Sequence, residues 1–220
     1  MKRMVYVYLL LMLVTASGCM EMIGPEQKTL GGGNVVDTAK GPLTPVDYSQ
    51  YGKPPIPVRV LLLIPDEFSH YTYMSTYNGR QIKNMLGQEA ENELRTALRV
   101  EFESVEVWPV RSETKAIEML SPSDPYNSEI RNYDYVAIPE FIHVESSVND
   151  ARYSFGVDFW TRFYSKDESS ITIKGHGETM TGKYAASTPE KSARLTVQYA
   201  VSAILDGIEK KRGAFVHSDF

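Results

Sequence analysis

Cysteine is nearly absent: the chain has one, Cys19, in 220 residues. That excludes a disulfide framework within the monomer and every structural zinc site needing two or more thiolates. A basic surplus is also missing, since the net charge is -5. An acidic average gives no support to a nucleic-acid footprint, which needs a clustered basic face. Long apolar runs are missing too. The longest, Met4 to Val14, spans 11 residues, too few to cross roughly 30 Å of hydrocarbon at about 1.5 Å per residue. The four histidines, His70, His143, His176 and His217, stand apart from one another and from Cys19, so no metal-ligand spacing is present and no metal or cofactor is expected. No nucleophile elbow, phosphate loop or dinucleotide fingerprint occurs, and the sequence points to no catalytic residue. With 42% hydrophobic and 23% charged residues, the chain reads as globular and large enough for one folded domain.

The amino terminus is the most specific segment. Lys2 and Arg3 precede the apolar run, and Ala16-Ser17-Gly18 lead directly into Cys19. The three-part order of basic, apolar and small residues is that of a secretory signal. With the cysteine after the small residues, it resembles the lipobox of bacterial lipoproteins, departing from it at Ala16, where that family most often has leucine. The resemblance implies that residues 1–18 are removed and that Cys19 becomes a lipidated first residue. Several acyl chains at about 0.8 kcal/mol per buried methylene make a stable anchor. The next residue is Met20 rather than aspartate. In the family's sorting rule that implies the outer membrane, with the domain facing the periplasm.

Residues 19–57 read as a flexible tether, carrying Gly31-Gly32-Gly33 and Pro54, Pro55 and Pro57 without sustained apolar periodicity. A coil of that length spans roughly 35 Å. Tyr48, Tyr51 and the prolines suggest that its last ten residues lie along the domain.

Residues 58–220 are expected to form a single domain with a short carboxy-terminal tail. Val58 to Pro65 is a nearly continuous apolar run, read as a central strand buried on both faces. Asp66 to Lys83, with Tyr71, Tyr73, Tyr77 and Asn78-Gly79, reads as a loop containing a turn. From Asn84, Leu86, Ala90, Leu94, Ala97, Leu98 and Phe102 form one helical stripe. Ser104 to Trp108 alternates as a strand, and Glu113 to Leu120 reads as a short helix. Tyr133 to Val144 is a strand that, with Pro139 in its middle, must bulge, lie at an edge, or be two strand pieces. Phe155 to Tyr164 and Ser170 to Lys183 form a β-hairpin turning at Lys166 to Ser169, in which Gly175 and Gly177 allow a bulge or a close backbone approach. Ser187 and Glu190 make a capping box for the last helix, with Pro189 in its first turn and Val197, Ala200, Val201, Ile204, Leu205 and Ile208 as its stripe. The fold class is therefore α+β, a mostly antiparallel sheet with two main helices on one face in the order β-α-β-β-β-β-α.

Behind a lipobox, that order resembles the small periplasmic domains of envelope accessory lipoproteins, of the lipopolysaccharide-assembly, transporter-auxiliary and Tol-like kinds. The resemblance rests on element order and carries no residue roles with it. It implies a non-enzymatic accessory or scaffold protein of envelope transport or assembly, with a protein partner. The aromatic surplus at Tyr71, Tyr73, Tyr77 and Trp160 is the candidate partner surface. Two other classes are open. One is a carrier of lipid, glycan or a small molecule in a pocket under the Tyr71 to Tyr77 loop. The other is a hydrolase using Asp66, Glu67 or Glu178, which would need two carboxylates converging in a cleft. His176 and Glu178 share a strand face by geometry alone.

Overall fold

The computed structural model describes residues 34–37, 45–149, 152–167, 169–181 and 189–216. The signal segment, Cys19, most of the tether and Ser187 of the expected capping box lie outside them.

Strand β1 (Asn34–Asp37) comes first, then a 3-10 turn at Tyr48–Gln50. The apolar run forms β2 (Ile56–Pro65), followed by the short helix α1 (Asp66–Ser69). A small hairpin, β3 (Tyr73–Tyr77) and β4 (Arg80–Asn84), leads into helix α2 (Leu86–Glu101). Strand β5 (Phe102–Val110), helices α3 (Glu113–Met119) and α4 (Asn127–Ile130), and strand β6 (Tyr135–Asn149) come next. Strands β7 (Arg152–Ser165) and β8 (Ser170–Thr181) precede the long helix α5 (Pro189–Lys210) and the short α6 (Arg212–Val216).

The main sheet has the order β1-β8-β7-β6-β2-β5. As expected for an α+β domain, its longest ladders, β6 with β7 and β7 with β8, are antiparallel. Strand β2, however, pairs parallel with both β5 and β6, and β1 pairs parallel with β8. The reason for β5 is connectivity: α2 returns the chain to the end of the sheet where β2 began, so the next strand runs the same way.

Strand β2 serves two cores. Val60, Leu62 and Ile64 point into the larger one, under α2 and α5. Leu61 and Leu63 point into a smaller one, under α3 and α4. Period-2 alternation sends neighbouring side chains to opposite faces, so a strand covered on both sides reads as unbroken Val-Leu-Ile. The expected stripes of α2 and α5 are buried as read; Leu94, Ala97, Val197 and Ile204 are all 0% exposed. Phe102, expected at the end of the helical stripe, is buried but begins β5 in extended conformation. An aspartate at Leu94 or Ile204 would put an unpaired carboxylate where water is excluded, at a cost of several kcal/mol against a total stability of roughly 5–15 kcal/mol. Leu94→Asp and Ile204→Asp should each abolish the cooperative thermal unfolding transition seen by circular dichroism.

Two segments depart from expectation. The loop expected at 66–83 is a short helix and a hairpin, because Asn78 and Gly79 both take positive φ, 49° and 73°, the geometry of a two-residue β-turn. The tether ends earlier than residue 57. Tyr48 is buried, its hydroxyl donating to the Gln198 carbonyl, and the Tyr51 hydroxyl donates to Asp206 at 3.0 Å. Ile56 is 0% exposed, so the segment from Val46 belongs to the domain. Strand β1 also lies within the expected tether; it joins the sheet through backbone pairing, for which no side-chain alternation is required. Pro139 is accommodated where β6 has already left β2, which it meets only over Tyr135–Ala137, and the ladder with β7 slips between Phe141 and His143. No described helix is long and apolar enough to cross a membrane.

Candidate functional site

The aromatic residues Tyr71, Tyr73, Tyr77 and Trp160 are divided by the sheet. Tyr71 stacks on Phe141 with ring centroids 4.4 Å apart, Tyr73 meets Phe155 edge-on at 5.7 Å, and Tyr77 meets Tyr153 at 5.4 Å. The Tyr73 hydroxyl also reaches Ser146 at 3.3 Å. These three half-buried rings pack on the inner face of β6 and β7. The hairpin places Tyr73 and Tyr77, alternate residues of β3, on the core, and Tyr71 just ahead of it stacks there too, so these aromatic rings are engaged in packing.

Trp160 lies on the opposite, outer face. Along β7 the inner residues Phe155, Val157, Phe159 and Phe163 are fully buried, while Asp158, Trp160 and Arg162 are half-exposed. The Arg162 guanidinium sits 5.2 Å from the Trp160 ring centroid, a cation–π contact. It donates to Glu140 at 2.7 Å and to Glu113 at 3.3 Å. Burial, and next the Glu140 charge, hold the Glu113 carboxyl above its usual value. Glu67 completes this corner by accepting the Glu113 backbone N–H at 2.5 Å.

One register step away, Asp158 has His143 opposite it on β6 and His176 opposite it on β8. It accepts from His176 Nδ1 at 2.6 Å and from Lys174 Nζ at 3.0 Å. Burial pushes the Asp158 carboxyl up, but the bonds from His176 and Lys174 outweigh it and hold the carboxyl below its usual value. The hydrogen bond to Asp158, opposed by burial, raises the His176 imidazole. His176 is thus partnered across the strand rather than with Glu178 along it.

The carboxylates singled out for hydrolysis do not converge. Asp66 and Glu67 follow β2, whereas Glu178 is on β8, with β7 and β6 between, a separation of about 14 Å at the usual strand spacing. Among the described residues no group of three or more His, Cys, Asp or Glu is arranged to hold a metal. The period-2 set Asp158, Trp160, Arg162 is legible in the sequence; its cross-strand partners Glu140, His143 and His176 depend on a register that includes the slip at Ile142.

A cleft lies on the same side of the sheet, where α3 and α4 meet the ends of β6 and β7. It measures about 320 Å³. Ile130 and Val136, nearly fully buried, form its floor with Leu120 and Tyr164, and Arg131, Asp134 and Lys166 stand at its mouth. The Asn127 amide donates to the Leu120 carbonyl at 3.0 Å and holds the two short helices together.

No protein-family model matches the chain, and no curated protein sequence matches it. Among solved structures it is similar to protein XCC0632 of Xanthomonas campestris, a DUF330 protein, at 9% identity over 82% of this chain and 97% of that one, with a TM-score of 0.44. It is similar to protein CT253 of Chlamydia trachomatis at 11% identity, 74% and 99% coverage and a TM-score of 0.41. Lipoprotein GNA1162 of Neisseria meningitidis is similar at 14% identity, 69% and 99% coverage and a TM-score of 0.34. The neighbours thus include a bacterial lipoprotein, and none of these likenesses assigns a residue role.

Proposed function

We propose that this protein is a lipid-anchored, non-enzymatic accessory of an envelope transport or assembly complex, held at the outer membrane through Cys19 and binding a protein partner. The observation that carries the reading is the outer face of β7, where Trp160 and Arg162 are ordered by Glu140 and Glu113 yet left half-exposed. Aromatic and arginine side chains held in place lose little entropy on association and supply much of the energy at protein interfaces. The basic-apolar-small-cysteine order of residues 1–19 supports the location.

The test is crosslinked affinity purification from solubilised envelopes, comparing the parent with Cys19→Ser and with Trp160→Ala. Cys19→Ser should leave the domain folded and move it from the membrane fraction to the soluble fraction, because the lipid acts on location and not on the core. A stoichiometric partner should accompany the parent and be depleted from Trp160→Ala. Continued sedimentation of Cys19→Ser with membranes would refute the anchor, and equal recovery of the partner with Trp160→Ala would refute the surface.

A second reading, carriage of a lipid or small molecule, is favoured by the cleft of about 320 Å³ between α3, α4 and the sheet.

A further inference from the structure

We infer that this cleft takes an anionic single-chain amphiphile, its chain on the apolar floor and its charged head at Arg131 and Lys166. The inference rests on the carrier reading and names the class of ligand.

The cleft exists because the two faces of the sheet are covered unequally. The inner face lies under helices of 16 and 22 residues, whereas among the described residues the outer core has only α3 and α4, of 7 and 4 residues. Among the described residues α3 and α4 are too short to close over Ile130 and Val136, and an apolar floor opens between Leu120 and Tyr164. Its volume is at the lower end of the roughly 300–1,000 Å³ found for small-molecule sites, which suits one chain rather than a two-chain lipid.

Charge at the mouth selects the head. Asp134 accepts the Arg59 backbone N–H at 2.7 Å and lies 3.7 Å from Arg59 Nε and 3.4 Å from Lys166 Nζ. One carboxylate therefore answers two cations. Arg131 is exposed and has no ion pair among the described residues. Asp167, beside Lys166 in sequence, turns instead toward the hydroxyls of Ser165 and Ser169. Among the described residues lining the cleft, Asp134 is the one carboxylate against Arg131 and Lys166, and Glu106 is engaged by the Tyr133 hydroxyl, so an anion placed there meets two flexible donors next to an apolar floor. A neutral amphiphile would gain the floor alone.

The probes are laurate, dodecyl phosphate and dodecyl maltoside, titrated below their critical micelle concentrations into the full chain carrying Cys19→Ser, which dispenses with detergent. Calorimetry should show saturable binding of laurate or dodecyl phosphate at least tenfold tighter than of dodecyl maltoside; which anion binds tighter distinguishes a fatty acid from a lysophospholipid-type head. The double variant Arg131→Gln/Lys166→Gln, both residues exposed, should weaken anion binding at least tenfold with the cooperative thermal unfolding transition retained. Ile117→Trp, at a rim residue 44% exposed, should weaken all three probes. Anion binding untouched by the double variant would overturn the inference. Dodecyl maltoside binding as tightly as laurate, and lost in Ile117→Trp, would overturn the anionic class while sparing the carrier reading. Binding of none of the three would overturn both.

Discussion

Gly177→Ala should cost the domain about 3 kcal/mol, lowering its melting temperature by about 6 to 12 °C. A Cβ at Gly177 would stand 2.1 Å from the Thr196 carbonyl oxygen and 2.7 Å from the Ala200 nitrogen, both backbone atoms of α5. At Gly175 it would stand 2.3 Å from the Ala200 carbonyl oxygen. No rotamer change relieves a clash with backbone, so the helix must lift from β8 as a body. Lifting loosens Val197, Ala200, Val201 and Ile204, all 0% exposed, and stretches the Thr179–Thr196 hydroxyl contact of 2.8 Å. Because one movement relieves both sites, Gly175→Ala/Gly177→Ala should cost less than the sum of the single substitutions. Gly213→Ala, with nothing within 4 Å of its would-be Cβ, is the control and should be neutral or stabilising by up to about 1 kcal/mol through helix propensity. Urea unfolding midpoints of the four variants test this; a neutral Gly177→Ala would mean that α5 does not sit this close to the sheet.

The second large effect is pH-dependent. Glu101, 0% exposed at the end of α2, lies 3.5 Å from the Arg212 guanidinium, which is also 3.3 Å from Glu209. Two carboxylates share one cation, with Glu101 sealed from water and Arg212 and Glu209 reaching the surface. Burial first, and the Glu209 charge second, push the Glu101 carboxyl from 4.5 up to about 7. A carboxyl raised in the folded state holds its proton there more tightly than in the unfolded chain. Its contribution to stability is therefore complete below about pH 4.5 and is lost as pH rises through about 7. With about 1.4 kcal/mol per pKa unit, the rise sets an upper bound of about 3.5 kcal/mol on the loss, which solvent screening at the part-exposed Arg212 and Glu209 reduces to about 2 kcal/mol. Glu101→Gln carries no charge at any of these values. At pH 8.5 it should be more stable than the parent by about 2 kcal/mol, and at pH 4.5 the two should nearly coincide. Parallel stability profiles across that range would show that Glu101 is ionised throughout. The same Arg212 donates to the Pro54 carbonyl, so this site is also where the amino-terminal segment is fastened to the domain.

The helices and the main strands are legible because each follows from local periodicity. The stripe Leu86 to Leu98 can face only one way, and the run Val60 to Ile64 has no polar side to expose. Gly175 and Gly177, read as positions of a bulge or a close approach, are the latter. What local reasoning misses is pairing. The hairpin at Tyr73–Asn84 hinges on two residues with positive φ, and a turn signal of Asn78-Gly79 was present without flanking alternation strong enough to name the strands. The direction of β5 and β6 against β2 depends on which end of the sheet each connection reaches, and no pattern within a strand encodes it.

The candidate surface divides along the same line. Trp160 and Arg162 on one face of β7 follow from alternation, but Glu113, 49 residues away in sequence, meets Arg162 only when α3 packs across the sheet. By itself the sequence determined the α+β class and the inward faces of both long helices, because these rest on side chains a few residues apart. Only the tertiary structure decided that the tyrosines of the hairpin are core, that Asp158 joins His176, that Glu101 shares Arg212, and that a cleft stays open under α3 and α4. Each of those depends on strand register or on the unequal cover of two sheet faces, quantities that exist only once distant segments have met.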